Sequence, residues 1–376
     1  MRAPKVVVVG VGAMGAATCW QLAQRGAQVI GLEQFAIGHD RGSSHGESRL
    51  IRKAYFEHPD YVPLLQRAFD LWHDLGNWVG TPLLQRTGLA LAGKPSSVVV
   101  SGTLHSAQQY GISTAVFDDA ARCPGLRAFA LPADYCGVVE FGAGWLPVEQ
   151  CVATMARRAE ILGAELRPHC TVLDWSLRAG GVQVVTSAGT LLADRLVLTQ
   201  GAWSHAALRH VGVPFTAHRN LLFWLPASAV HSSHGCFGLD LPLGFIYGFP
   251  RTAGLVKLAL HRPGETVDDP ATVDRTLYAS DTAAFFEVLA DHAPGLSRDV
   301  ARHAVCLYEC SPDGHFVIDK LPGAPPVVVA GGFSGHGFKF APAIGQALAE
   351  LTLTGTTALP TEFLSARRFA VGKAPG

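Results

Sequence analysis

Charge is scarce in this chain, and what there is cancels. Of 376 residues 16% are charged, with 30 Lys and Arg against 30 Asp and Glu. Without a positive excess the chain has no general hold on nucleic-acid phosphates, which excludes a broadly basic nucleic-acid binder. Disorder is excluded as well: it needs low hydrophobicity and high net charge, and 48% of these residues are hydrophobic. The eight cysteines are scattered and form no C-x-x-C pair, so a four-thiolate zinc site is not expected and no metal is assigned. They read as mostly buried thiols of a reducing compartment. No apolar run reaches the roughly 18 residues that a membrane-spanning helix needs. Arg2 and Lys5 precede a Gly/Ala-rich stretch that imitates a signal peptide. Its glycines are regularly spaced, however, and no clear cleavage site follows before a helix. A cytoplasmic protein with no membrane or nucleic-acid partner is expected.

The length suggests roughly two domains. Val6–Val9 is a β-branched run that reads as a buried parallel strand, Ala13–Arg25 as a helix ended by Gly26, and Gln28–Leu32 as a second strand. Similar pieces recur far along the chain: a helix over Val148–Leu162, an alternating segment Val182–Thr186, and strands Arg195–Leu198 and Val327–Val329, the last followed by a helix Pro342–Thr354. The stretches between are richer in Pro, Phe and alternating patterns. The expected fold is α/β: a Rossmann-like dinucleotide domain from residues 1–80, 141–209 and 311–376, interleaved with a mixed-sheet substrate domain from 81–140 and 210–310.

Gly10-Val11-Gly12-Ala13-Met14-Gly15 is a G-x-G-x-x-G set between a strand and a helix. Gly10 allows the tight turn, Gly12 lets backbone approach a pyrophosphate, and Gly15 lets helix pack on strand. The helix start offers free N–H groups and a positive dipole to phosphate. Glu33 ends the second strand, where a carboxylate takes ribose hydroxyls. This site alone does not separate NAD from FAD. A second cluster, Gly331-Gly332-Phe333-Ser334-Gly335-His336-Gly337-Phe338-Lys339, again lies between strand and helix. A second helix start aimed into the same site suits a flavin, whose reduced ring needs positive potential at one edge.

The segment Ser43-Ser44-His45-Gly46-Glu47-Ser48-Arg49-Leu50-Ile51-Arg52 sets two arginines and a histidine among small residues. By itself it is an anion-binding loop or a solvated turn. Together with Tyr247-Gly248-Phe249-Pro250, Lys257, Val305-Cys306-Leu307-Tyr308 and Phe333–Phe340 it becomes specific. Over essentially its full length the sequence resembles the monomeric sarcosine oxidases and their relatives, N-methyltryptophan oxidase among them, within the D-amino-acid-oxidase-like flavoproteins.

The resemblance implies FAD, attached covalently through Cys306, and an oxidase of secondary N-methyl amino acids such as sarcosine. Hydride goes to the flavin, the imine hydrolyses, and O2 is reduced to hydrogen peroxide. It implies that Arg52 and Lys339 grip the substrate carboxylate, with Tyr247, His261 and Tyr308 lining the substrate cavity. Arg49 and His45 would supply positive potential beside the ring, and Lys257 would help oxygen react. Ser43, Val172, Gly201, Gly332, Gly335 and Gly337 would join Gly10, Gly12, Ala13, Met14, Gly15, Glu33, Arg49, Cys306 and Lys339 around the cofactor. The family name suggests a monomer. Departures from the family pattern fall at Ser44, Glu47-Ser48, Lys53 and residues 208–245, the last containing Trp224, His231, His234 and Cys236. Rival substrates are N-methyltryptophan, pipecolate or proline-like imino acids and fructosyl amino acids, with Trp224 and Trp145 as residues that would set pocket volume. A dehydrogenase with another electron acceptor and a nicotinamide-dependent enzyme are the remaining rivals.

Overall fold

Four valines begin the fold. Val6–Val9 are at most 4% exposed, and β-branched residues buried on both faces make the central strand of a parallel sheet. The computed structural model describes residues 2–204, 212–233 and 235–372; the expected boundary at 209–210 and His234 lie outside them. The strand Lys5–Val9 pairs in parallel with Gln28–Leu32 on one side and Arg195–Leu198 on the other. Glu165–Arg167 extends the sheet beyond Gln28–Leu32, and Val327–Gly331 beyond Arg195–Leu198. Val317–Lys320 closes that edge antiparallel. One face carries the three-stranded antiparallel sheet of Val172–Arg178, Gly181–Thr186 and Gly189–Ala193, which shares a core with Val7, Val9, Ile30 and Leu32.

The other face carries three helices, Ala13–Gln24, Val148–Ile161 and Ala341–Thr354. The expected helix through Arg25 stops at Gln24, with Arg25 as its cap and Gly26 at φ 80°. Helices Ala13–Gln24 and Ala341–Thr354 meet through small residues. A Cβ at Gly345 would stand 2.6 Å from both the carbonyl carbon and the Cβ of Ala17.

A second sheet of nine strands is built wholly from residues 89–140 and 216–310. It is mixed: Cys236–Leu241 runs parallel to Leu89–Gly93, and its other pairings are antiparallel. Phe285 and Leu289 of the helix Ala279–His292 pack against its Phe223, Leu225 and Leu258. The strand Arg302–Cys310 pairs with Thr216–Pro226 and sets Cys306 opposite Asn220. A short ladder, Ser48–Ile51 on Gly144–Pro147, holds the arginine-bearing segment between the two sheets.

The helix crossing at Gly345 gives a direct test. Ala adds about 1 kcal/mol of helix propensity, but the contact is with backbone and cannot yield cheaply. Gly345→Ala should destabilise the protein by about 1–2 kcal/mol net in urea unfolding. Stability equal to the parent would show that the two helices move apart at no cost.

Candidate functional site

A cavity of about 380 Å³ lies at the carboxyl ends of the central parallel strands, where ligands bind in open α/β sheets. The glycine motif forms its floor. Gly10 has φ 85°, and a Cβ there would stand 2.6 Å from the Thr199 carbonyl oxygen. A Cβ at Gly15 would stand 1.7 Å from the Gly10 carbonyl oxygen. Gly15 therefore acts through packing and does not line the cavity, whereas Gly10, Gly12, Ala13 and Met14 do. Glu33 accepts the Val11 N–H at 2.9 Å and the Phe35 N–H at 3.0 Å, with His39 at 3.4 Å. Burial opposes its charge, but His39 and the two N–H groups outweigh burial and hold the carboxyl below its usual range.

Farther along lie Ser43, Arg49, Val172, Gly201, Cys306, Gly335 and Gly337, all on the cavity wall. Cys306 Sγ is 3.4 Å from Arg49 Nη2. Two buried acceptors on this wall, Gln200 Oε1 and Glu309 Oε1, have no hydrogen-bond partner among the described residues. Unmet buried polar atoms are costly, so the space suits a ligand that brings hydrogen-bonding groups.

Residues 42–54 connect the two sheets, and distant carboxylates pin them. Glu149 accepts the N–H groups of Gly46 (2.7 Å) and Glu47 (3.1 Å). Glu140 accepts those of Lys53 (2.8 Å) and Ala54 (2.9 Å), directly after Arg52. Glu47 sits at φ 67° and receives Trp224 Nε1 at 2.8 Å and the Arg302 guanidinium. Lys257 Nζ donates from behind to the Gly46 and Ser48 carbonyls and to Ser48 Oγ. Burial, reinforced by Arg49, pushes its pKa well below the usual lysine value.

A second cavity of about 50 Å³ shares Arg49, Gly335 and Phe338 with the first. Arg52 and Lys339 line it together with Phe56, Glu57, Phe245, Tyr247, His261 and His336. Arg52 donates through Nη2 to both Glu57 oxygens (2.9 and 2.7 Å) and through Nη1 to the Ala54 carbonyl. Burial opposes the Glu57 charge, but Arg52 outweighs it and brings the carboxyl down to about 2. Lys339 Nζ donates to the His336 carbonyl at 2.6 Å and to Tyr55 at 3.3 Å. Burial pushes it down to about 7, helped by Arg52 and opposed by Glu57. His261 and His336 are brought to about 4 and about 3, chiefly by burial.

Several expected residues fall elsewhere. His45 lines neither cavity; its Nε2 is 3.1 Å from the Gly42 carbonyl. Burial and Arg49 bring it to about 4, so it is neutral at pH 7 and supplies no positive potential. Lys257 and Gly332 also lie off both walls, and Tyr308 lines the larger cavity where the substrate cavity was expected. Lys339 lines the smaller cavity and not the larger. Trp145 and Trp224 line neither, so they do not set the small cavity's volume. Sequence reasoning missed Glu57, Glu140, Glu149, Gln200 and Glu309. Glu309 left a signal, as a carboxylate inside the apolar run Val305–Cys310.

Lys339 in the small cavity carries a charge that depends on pH near neutrality. Its protonated form, present below about 7, attracts a carboxylate and is lost as pH rises. Arg49 stays charged throughout, Glu57 stays ionised, and His261 and His336 stay neutral. Binding of a small carboxylate should weaken above pH 7, by at most about tenfold per unit. Calorimetry from pH 6 to 9 that returned a constant affinity would remove Lys339 from the anion site.

The family model described as "DAO: FAD dependent oxidoreductase" matches residues 5–351. Monomeric sarcosine oxidase of Streptomyces avermitilis is 38% identical over 382 residues, covering 98% of each chain. N-methyl-L-tryptophan oxidase of Yersinia pestis is 33% identical over 349 residues, 92% of this chain and 93% of the relative. Among solved structures, a variant of NikD, an unusual amino acid oxidase essential for nikkomycin biosynthesis, is similar at a TM-score of 0.85. It shares 25% identity, with 97% of each chain covered. From its glycine motif to its second helix start, the chain belongs to the DAO family of FAD dependent oxidoreductases.

Proposed function

We propose that this protein is an oxidase of small secondary amino acids with an N-methyl group, sarcosine first, with O2 as electron acceptor. The products for sarcosine would be glycine, formaldehyde and hydrogen peroxide. One observation carries the reading: a small cavity with Arg52, Lys339 and aromatic walls abuts the cofactor cavity at Arg49, Gly335 and Phe338. Its volume of about 50 Å³ favours a compact substrate over an indole-bearing one.

The residues fit FAD. Gly10, Gly12 and the start of the helix Ala13–Gln24 would take the pyrophosphate, Glu33 the adenosine ribose, and the Cys306 end the ring. Bound FAD supplies the two-electron acceptor for the carbon–hydrogen bond beside nitrogen. Cys306 is the proposed covalent anchor, with the Arg49 guanidinium 3.4 Å from its sulfur.

Lys339 has three N–H donors and spends two on His336 and Tyr55, which leaves one for a substrate carboxylate oxygen. Arg52 adds a second charge but must share or release Glu57 to bind directly. The cations also lower the proton affinity of the substrate amine, favouring its neutral, reactive form. Neutral His261 and His336 add no positive charge to the amine's surroundings. Lys257 is assigned to the oxygen step as a group held behind the segment Gly46–Ser48. Eight buried, unpaired cysteines suit a reducing compartment.

The test is anaerobic mixing of the yellow protein with sarcosine, N-methyltryptophan, pipecolate, proline and a fructosyl amino acid in turn. Bleaching of the visible band by sarcosine is expected, and bleaching only by a larger compound would overturn the substrate. Lys339→Met should raise the sarcosine KM by about tenfold or more, the worth of one charge-assisted hydrogen bond. An unchanged KM would remove Lys339 from carboxylate binding.

A further inference from the structure

Glu309 belongs to no motif of the site, yet it is among the residues that line the cofactor cavity. It stands on the strand Arg302–Cys310 and is 6% exposed. Oε2 accepts the Gly332 N–H at 2.8 Å, which ties the strand to the second glycine loop. The Ser334 N–H, donated to the Glu309 carbonyl at 2.7 Å, repeats that tie. Oε1 is buried and makes no hydrogen bond of normal geometry among the described residues, although the Ser204 hydroxyl lies close enough to the carboxyl to act on it. A buried carboxyl oxygen left unmet costs stability unless a ligand meets it.

Position indicates which part of the ligand that is. Glu309 is three residues beyond Cys306 on an extended strand, so its Cα lies about 10 Å along the strand from that of Cys306. Its strand packs on the turn Gly201–Ser204, which follows Gln200. Gln200 in turn follows Thr199, whose N–H and hydroxyl bind the carbonyls at Val9 and Gly10 in the glycine turn. Glu309 thus lies between the pyrophosphate end and the ring end of the cavity. In FAD that interval is spanned by a polyol chain, whose hydroxyls both donate and accept.

We propose that Glu309 is a cofactor-holding residue whose Oε1 hydrogen-bonds a hydroxyl of the polyol linker between the FAD pyrophosphate and ring. Burial raises this carboxyl to about 8, against the pull of the Gly332 N–H and the Ser204 hydroxyl, so it is neutral at pH 7. A neutral carboxyl avoids repulsion from the nearby pyrophosphate. With Oε2 engaged as acceptor, Oε1 carries the proton and donates it to the linker oxygen. Gln200 Oε1, the other unmet acceptor on this wall, takes a hydroxyl proton in the same interval.

The inference rests on FAD as cofactor and not on the substrate. Its test is a binding cycle on full-length protein carrying Cys306→Ala, which leaves the flavin exchangeable. Affinity is measured by fluorescence titration with FAD and with an FAD analogue lacking the linker hydroxyls. The parent should prefer FAD, and Glu309→Met should reduce that preference by about fivefold, the worth of one hydrogen bond. Glu309→Gln, which still carries a donor and an acceptor, should retain most of the preference. Glu309→Ala reads the same ratio if the Met variant fails to fold. A preference unchanged by removal of the carboxyl, or a parent that binds both ligands equally, overturns the assignment alone. A parent that takes up no FAD overturns both the assignment and the cofactor beneath it.

Discussion

Four basic side chains are held in or behind the walls of the two cavities, and the rest of the site depends on how they are satisfied. Arg52 and Lys257 are each 4% exposed and Lys339 6%. Moving a charge out of water costs several kcal/mol unless partners replace the water. Among the described residues, only Arg52 of the four has a carboxylate, Glu57, on its charged group. The others rest largely on carbonyl oxygens: Arg49 on Ser43 and Ser48, Lys257 on Gly46 and Ser48, Lys339 on His336. Carbonyl dipoles solvate a cation without cancelling it. The cavity therefore keeps a positive potential, which an incoming carboxylate is suited to neutralise.

Burial and that potential decide the state of the neighbouring imidazoles. His45, His261 and His336 are all neutral at pH 7 because burial penalises their charged forms and nearby cations add to the penalty. The same physics acts on any amine placed beside Arg52 and Lys339. A site that discourages protonation of its own histidines discourages protonation of its substrate, and an amine that is already neutral needs no strong base next to it.

Much of this was legible in the sequence because it rests on local patterns. The glycine motif was readable since turn, close approach and helix start fall within six residues. The parallel strands announced themselves as short β-branched runs. Arg52, Lys339 and Cys306 came only through family resemblance, and no spacing argument would have joined them across some 290 residues. Glu140 and Glu149 were illegible for a different reason. Each binds backbone N–H groups about 90–100 residues away, and a carboxylate that caps distant backbone leaves no side-chain pattern. The neutrality of His45 was equally hidden, since burial is a property of the folded neighbourhood.

The interleaving of the two sheets follows from the same constraint. No single sheet supplies the walls of both cavities: Gly10 and Glu33 stand at strand ends of the parallel sheet, while Tyr247, His261 and Cys306 stand on the mixed one. The segment between them is fixed at its two ends by carboxylates from Cys136–Glu140 and from the helix Val148–Ile161, so its arginines cannot drift independently of either sheet. A ligand lying from Gly10 to Cys306 touches both layers at once. Its binding energy then opposes their separation, so occupancy of the cavity and integrity of the two-sheet fold are thermodynamically linked.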